Sequence, residues 1–156
     1  MGTIRVEADL PAAPHDVFDV LLTPATWPRW FTIHDRFVDL PPARLRVGSR
    51  MSAKVTLLDI SLHVAWEVRA VDESAALTIA GSGPVGVGCE FTYTLARSGT
   101  GTLISADGSF GGPMVRGSLS RALEKNGSIQ LTRSLGLLGE LAAAVDDGGV
   151  VLSARE

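Results

Sequence analysis

The first thirty residues show two different periodicities. Apolar and polar side chains alternate from Thr3 to Leu10, which predicts a half-buried β-strand. After Pro14 the apolar residues recur at helical spacing, and this proline suits the first turn of a helix that ends at Thr23. A short second helix is predicted over residues 25–29. The chain is therefore expected to begin with one strand followed by two short helices.

Strand-like runs follow in close succession after Gly48. Each run alternates apolar and polar residues, and short turns separate the runs. This pattern is typical of an antiparallel meander with one dry face and one solvated face. The runs cover residues 51–57, 62–69, 77–79, 89–95 and 104–110.

The last part of the chain predicts one long helix, because strong breakers are missing between Pro113 and about Val145. Pro113 suits the first position of this helix. Leucines mark its apolar stripe, at Leu119, Leu123, Leu137 and Leu141. Residues 146–156 are predicted to form a flexible tail, so the domain is expected to span residues 1–145.

This order of elements predicts an α+β fold. We expect a curved antiparallel sheet of six or seven strands that grips one long C-terminal helix, with two short helices after the first strand. A straight helix cannot touch a strongly curved sheet everywhere, so a cavity tends to remain between them. Large side chains or a ligand must fill that cavity. A void below about 300 Å³ would argue against any drug-sized guest.

Composition limits the classes of function. The chain has 156 residues, 46% of them hydrophobic, which suffices for one domain with a core. Lys and Arg number 14 against 17 Asp and Glu, so we expect no nucleic-acid partner. No apolar run approaches the ~20 residues that span a bilayer, and no export signal is visible, so we expect no integral membrane association. The single cysteine, Cys89, precludes an internal disulfide and favours a reducing, cytoplasmic location.

The histidines offer one candidate for chemistry. No two of His15, His34 and His63 lie at metal-ligand spacing, and Cys89 is isolated, so we expect neither a metal nor a cofactor. His34 follows a run of aromatic residues and is the best candidate for an acid or base at the edge of a pocket. The alternative is a loop histidine that is bonded to the backbone.

Several short motifs, taken in order, carry a family resemblance. Residues 13–18, the pair Trp27 and Trp30, and the long final helix resemble the START-like (SRPBCC) helix-grip superfamily. Residues 30–34, 81–88 and 110–113 are similar to its polyketide cyclase/dehydrase-like branch, and to a sub-branch that includes a protein described as a type II toxin. The resemblance implies a hydrophobic pocket for a lipid, polyketide or similar ligand.

Aromatic residues on the inward faces of the predicted strands are the main ligand-binding candidates. We expect Trp66, Phe91, Tyr93 and Phe110 inside the pocket, and Trp27, Trp30 and Phe31 at its mouth. The alternative for any one of them is ordinary filling of the core. A tyrosine hydroxyl on a dry face is informative, because it needs a hydrogen-bond partner when buried.

Polar residues share the leucine stripe of the long helix. Asn126, Gln130 and Arg133 lie close to the centre of that stripe. In one interpretation Asn126 and Gln130 face a partly wet cavity and orient a polar group of the ligand. In the other, the helix is rotated so that Ile129 and Leu131 point inward and the polar residues lie near the edge.

The glycine-rich segment 81–88 matches a dinucleotide-binding pattern, but it precedes an alternating strand instead of a helix. It therefore predicts a hairpin at the cavity mouth, which could act as a flexible lid.

Three functions remain open. The first is binding of a hydrophobic small molecule between the sheet and the long helix. The second is a polyketide cyclase or dehydratase that acts by substrate positioning, with His34 or Tyr93 moving protons. The third, suggested only by the resemblance, is the toxin of a type II toxin–antitoxin pair. An exposed sheet edge would also permit a homodimer.

Overall fold

The computed structural model describes the backbone of residues 2–154 and the side chains of residues 2–144. A single sheet and a long helix dominate it, with two short helices between the first two strands. In chain order the elements are β1 (Gly2–Leu10), α1 (Pro14–Leu21), a 3-10 turn (Pro24–Thr26), α2 (Trp27–Trp30), β2 (His34–Phe37), β3 (Arg50–Leu57), β4 (Ile60–Asp72), β5 (Ala76–Ser82), a second 3-10 turn (Pro84–Gly86), β6 (Gly88–Ser98), β7 (Gly101–Gly111) and α3 (Gly117–Ala154).

The seven strands form one antiparallel sheet in the order β1-β7-β6-β5-β4-β3-β2. Strands β3 to β7 make the predicted meander, and β1 joins its far end by pairing with β7. The sheet curls around α3, so the predicted helix-grip architecture is confirmed. Strand β2 was not predicted, because its four residues include charged Asp35 and Arg36 and are too few to show a period of two.

Helix α3 begins at Gly117, so the predicted start at Pro113 is wrong. Gly112 adopts a φ angle of +147°, which a right-handed helix cannot accommodate, and the chain enters the helix at Gly117, whose φ angle is +63°. Residues 112–116 instead form a loop against the β5–β6 turn, where a Cβ on Gly112 would lie 3.0 Å from the Gly86 carbonyl oxygen.

The buried face of α3 is rotated from the predicted leucine stripe. Leu119 is exposed, whereas Leu135 and Leu138 are fully buried. Glycine explains the rotation, since Gly127 and Gly139 bring the helix backbone against β1 and the start of the following loop. The inward stripe therefore combines small residues with leucines.

The backbone of α3 continues to Ala154, past the domain end predicted at residue 145. The side chains of residues 145–156 lie outside the described residues, so the domain boundary and the flexible tail stay predictions. Within the described part of the chain, no helix combines the length and the hydropathy needed to cross a bilayer.

Candidate functional site

A cavity of about 250 Å³ lies between the inner face of the sheet and the first half of α3. Aliphatic side chains of β3 and β4 form one wall, aromatic side chains of β6 and β7 form another, and leucines of α3 close the third. Representative residues are Val55, Val64, Phe91, Phe110, Leu123 and Leu131. The gap expected between a curved sheet and a straight helix is thus present, but its volume lies below the ~300 Å³ typical of drug-sized sites.

The cavity wall is almost entirely carbon. No Asp, Glu, Lys, Arg or His side chain lines it among the described residues. Ser134 reaches the wall, but its hydroxyl is already engaged, because Thr32 donates its N–H to Ser134 Oγ at 3.0 Å and the two hydroxyls also lie 3.0 Å apart. Thr32 Oγ1 donates to the carbonyl oxygen of Gln130 at 3.1 Å. A charged guest would find no opposite charge here, and its desolvation would be unfavourable.

Loops surround the mouth of the cavity with apolar side chains. Ile60 in the β3–β4 hairpin and Met114 before α3 expose 47% and 68% of their surface. The β5–β6 turn carries Val85, which is 78% exposed and has a φ of 54°, a conformation that β-branched residues rarely adopt. The entrance is therefore as apolar as the wall behind it.

The glycine-rich segment forms the β5–β6 hairpin beside the cavity, where Val87 and Gly88 line the wall. The turn is tightly held, since the Gly83 N–H donates to the Val87 carbonyl oxygen at 2.7 Å. A Cβ on Gly86 would lie 3.2 Å from the Pro113 ring. The predicted hairpin is therefore present beside the cavity, and its action as a lid stays a prediction.

The structure divides the predicted ligand-binding residues into two groups. One group lines the cavity and comprises Phe31, Trp66, Phe91, Phe110 and Gln130. The other group does not reach it and comprises Trp27, Trp30, Tyr93 and Asn126. Their roles in binding stay predictions, but the first group is the one that a guest in this cavity would touch.

The predicted position of Trp27, Trp30 and Phe31 at the mouth is wrong. Each of them is only 1% exposed, because α2 turns their rings into the core. Both indole groups are hydrogen-bonded there: Trp27 Nε1 donates to the Leu21 carbonyl oxygen at 3.2 Å, and Trp30 Nε1 donates to Thr26 Oγ1 at 3.1 Å. Burial of large aromatic surface favours this inward arrangement.

Neither arrangement predicted for the polar residues of α3 is fully correct. Leu131 points inward at 3% exposed, as the rotated alternative requires, but Ile129 is half exposed. Gln130 reaches the cavity wall, whereas Asn126 is half-buried beside it and Arg133 is exposed. The predicted leucine stripe had placed Asn126, Gln130 and Arg133 together. The rotation that the glycines impose on α3 leaves the three side chains with different degrees of exposure.

Behind the cavity the aromatic rings form a continuous cluster. Phe31 belongs to both features: it lines the cavity, stacks on Trp30 at a centroid distance of 5.3 Å and lies 6.1 Å from Trp66. Trp30 meets Tyr93 edge-on at 6.0 Å. The rings of the cluster are Trp27, Trp30, Phe31, His34, Phe37, Trp66, Phe91 and Tyr93.

This aromatic cluster contains buried polar atoms that have no hydrogen-bond partner among the described residues. They are Trp66 Nε1, Tyr93 Oη and both ring nitrogens of His34. Burial raises the pKa of Tyr93 above its ordinary value, and proximity to Cys89 adds to the effect. Burial lowers the pKa of His34, while the charge of Asp35 acts in the opposite direction. An unsatisfied buried group of this kind costs roughly 1–3 kcal/mol.

His34 is the first residue of β2, so its interpretation as a loop histidine bonded to the backbone is wrong. Its ring is 7% exposed and neither nitrogen has a partner in the described structure. His34 lies opposite Val55 in the sheet, and both Val55 and the adjacent Ile33 line the cavity. The imidazole is therefore close behind the wall without forming part of it, and its acid–base role stays a prediction.

Sequence reasoning missed Cys89 as a cavity residue. The thiol lines the wall, and burial raises its pKa to about 12, with a backbone hydrogen bond at Gly81 opposing the shift. The alternation that placed Phe91 on the inner face also places Cys89 there, so the signal was present. Met114, by contrast, lies in a loop without periodicity, and only the fold brings it to the mouth.

A wider depression of about 420 Å³ lies on the outer face of the sheet. Glu67 pairs with Arg50 at 3.6 Å and with Arg69 at 3.2 Å there, so the charges are largely matched within the chain. No group of three or more His, Cys, Asp or Glu side chains in the described part of the chain could hold a metal ion. The enclosed apolar cavity is therefore the candidate site.

Comparison with known proteins agrees with this geometry. A family model described as polyketide cyclase / dehydrase and lipid transport matches residues 1–142. The uncharacterised protein Rv1546 of Mycobacterium tuberculosis is 23% identical over 141 residues, which cover 90% of this chain and 99% of that protein.

Solved structures show the same fold. TTHA0849 from Thermus thermophilus superposes with a TM-score of 0.76 at 18% identity, covering 92% of this chain and 98% of the other. DynU16, a protein from the dynemicin biosynthetic locus, superposes with a TM-score of 0.64 at 21% identity, covering 96% of this chain and 48% of the other. At these identities the likeness establishes the shared fold alone.

Proposed function

Because the chain belongs to the polyketide cyclase / dehydrase and lipid transport family, we propose that it binds a small, uncharged, apolar molecule in the cavity between the sheet and α3. The observation that carries this proposal is the apolar composition of the cavity wall. In a cavity of about 250 Å³ without a charged lining residue, water would find few hydrogen-bond partners, whereas an apolar guest would restore lost packing contacts.

The volume of the cavity limits the size of the guest. A cavity of about 150 Å³ lined by apolar side chains holds benzene, so a proportionate guest here has about ten non-hydrogen atoms. Naphthalene has this size, and so does one end of a longer molecule whose remainder stays in the apolar mouth. Entry of a charged end is disfavoured, because the wall offers it no opposite charge.

Equilibrium dialysis with naphthalene tests the proposal. Val64 lines the cavity, and Val64→Phe places an aromatic ring in the space that the guest would occupy. We expect this variant to weaken naphthalene binding at least tenfold. Ala65, the next residue of β4, lies on the outer face, so Ala65→Phe is the matched control and should bind as the unmodified protein does. Equal binding by the two variants would show that the cavity is not the site.

The cyclase or dehydratase alternative has weaker support from the geometry. Such an enzyme needs proton-transferring groups that face its substrate. His34 and Tyr93 both lie behind the cavity wall, and no other His, Asp or Glu lines that wall among the described residues. The family description names lipid transport beside polyketide cyclase / dehydrase, so a polyketide-related ligand would suit a binding protein equally well.

The toxin alternative draws no support from the family description or from the relatives named above. A cytoplasmic location and a homodimer stay predictions.

A further inference from the structure

We infer that the depression on the outer face of the sheet, together with the loop between β2 and β3, forms a two-fold interface with a second copy of this chain. Leu40 of each copy enters the depression of the other copy, and Asp39 of each copy pairs with Arg50 of the other. The cavity lies on the opposite face of the sheet, so this inference does not depend on the proposed function.

The first argument is the apolar surface of the loop between β2 and β3. Leu40 is 97% exposed, and Val38 and Val47 are exposed beside it. The loop itself is held in place, because the Leu45 side chain is buried and its N–H donates to the Leu22 carbonyl oxygen at 2.8 Å. Covering a loop that is already ordered gains hydrophobic stabilisation at a small cost in conformational entropy.

The second argument is the hollow beside this loop. Ser52, Ala65 and Ser82 stand next to one another across β3, β4 and β5, and their small side chains form its floor. Its volume of about 420 Å³ exceeds the ~150 Å³ that suffices for benzene, so it admits a leucine side chain. Leu40 borders this hollow but stays too exposed to fill it. The chain therefore carries a projection and a matching hollow side by side, as a two-fold interface between identical patches requires.

The third argument is the charge around the depression. The bordering charges sum to zero, with two carboxylates, Asp39 and Glu67, and two guanidinium groups, Arg50 and Arg69. Glu67 is shared by the two arginines, whereas Asp39 forms no ion pair among the described residues. A partner of high net charge would gain little from this neutral set. A second copy instead offers each Asp39 an Arg50 whose side chain is 80% exposed.

Sedimentation-velocity centrifugation over a range of protein concentrations tests the interface. We expect the unmodified chain to form a dimer as its concentration rises, and we expect Leu40→Ser to raise the dissociation constant at least tenfold. Leu103 is also an exposed leucine of the outer face, but it lies on β7, three strands away from β4. Leu103→Ser is therefore the matched control and should leave the dissociation constant unchanged.

Charge reversal distinguishes this interface from an unspecific contact between apolar surfaces. Asp39→Arg should weaken the dimer, because two guanidinium groups then face each other across the interface. Arg50→Asp should also weaken it, because two carboxylates then do so. The double variant Asp39→Arg/Arg50→Asp restores opposite charges and should recover most of the lost affinity. Both side chains are exposed, so these variants should keep the fold.

Several outcomes would overturn the interface. One is a chain that stays monomeric up to millimolar concentration. Another is a dimer that Leu40→Ser and Leu103→Ser weaken equally. A third is a charge-reversed double variant that associates no better than the two single variants. None of these outcomes affects the proposed function, because naphthalene binding is measured separately and concerns the other face of the sheet.

Discussion

Replacement of Tyr93 by phenylalanine should stabilise the protein. The hydroxyl of Tyr93 is fully buried and has no hydrogen-bond partner among the described residues. Its desolvation on folding is therefore uncompensated, which costs roughly 1–3 kcal/mol. Phenylalanine removes that cost and keeps the ring contact with Trp30, at the loss of one atom's packing.

The expected net gain in the free energy of unfolding is about 1 kcal/mol. For a chain of this length such a gain raises the melting temperature by roughly 2–4 °C. Urea unfolding of both proteins, followed by circular dichroism, measures the difference as a shift of the midpoint at constant slope. A loss of 1 kcal/mol or more in Tyr93→Phe would refute the reasoning, because it would mean that the hydroxyl is satisfied in the folded protein.

Alkaline titration tests the same residue independently, since Tyr93 is the only tyrosine in the chain. Burial raises its pKa in the folded state, so its contribution to stability is complete below about pH 10 and is lost as the pH rises further. The ultraviolet absorbance of phenolate should therefore appear only together with unfolding. Its appearance near pH 10 in the folded protein would contradict the burial argument.

Three further predictions concern other buried or strained groups. Burial lowers the pKa of His34, so the free energy of unfolding should fall as the pH drops below about 6.5, by at most ~1.4 kcal/mol per pH unit. His34→Leu should flatten this pH dependence, as urea titrations at several pH values would measure. An unchanged pH dependence in the variant would contradict the burial of His34. Val85→Gly relieves a left-handed φ and should raise the free energy of unfolding by about 1 kcal/mol, whereas a melting temperature that falls would show that the turn is unstrained. The pKa of Cys89 is about 12, so iodoacetamide at pH 8 should modify it far more slowly in the folded protein than in urea, as mass spectrometry would show; equal rates would refute its burial.

The sequence allowed the cavity-lining residues to be predicted when those residues lie on β-strands. Trp66 and Phe91 line the cavity because alternation fixes the face on which each side chain lies, and a period of two persists when the sheet curls. Cys89 belongs to the same alternation. The aromatic residues of α2 were placed less well, because four helical residues have too little periodicity to show which way Trp27 and Trp30 turn.

The sequence by itself determined the antiparallel meander, the long helix and the order of the elements apart from β2. These features follow from local spacing of apolar residues, from prolines and from short turns, all of which act between near neighbours. They also sufficed to predict a space between sheet and helix.

Only the tertiary structure decided the volume of that space and the chemistry of its wall. The rotation of α3 depends on the contact of Gly127 with Ile4, which lies more than a hundred residues away in the chain. The absence of partners for Tyr93 is likewise a property of the packed core. Such features depend on distances between distant segments, and no local pattern in the sequence encodes them.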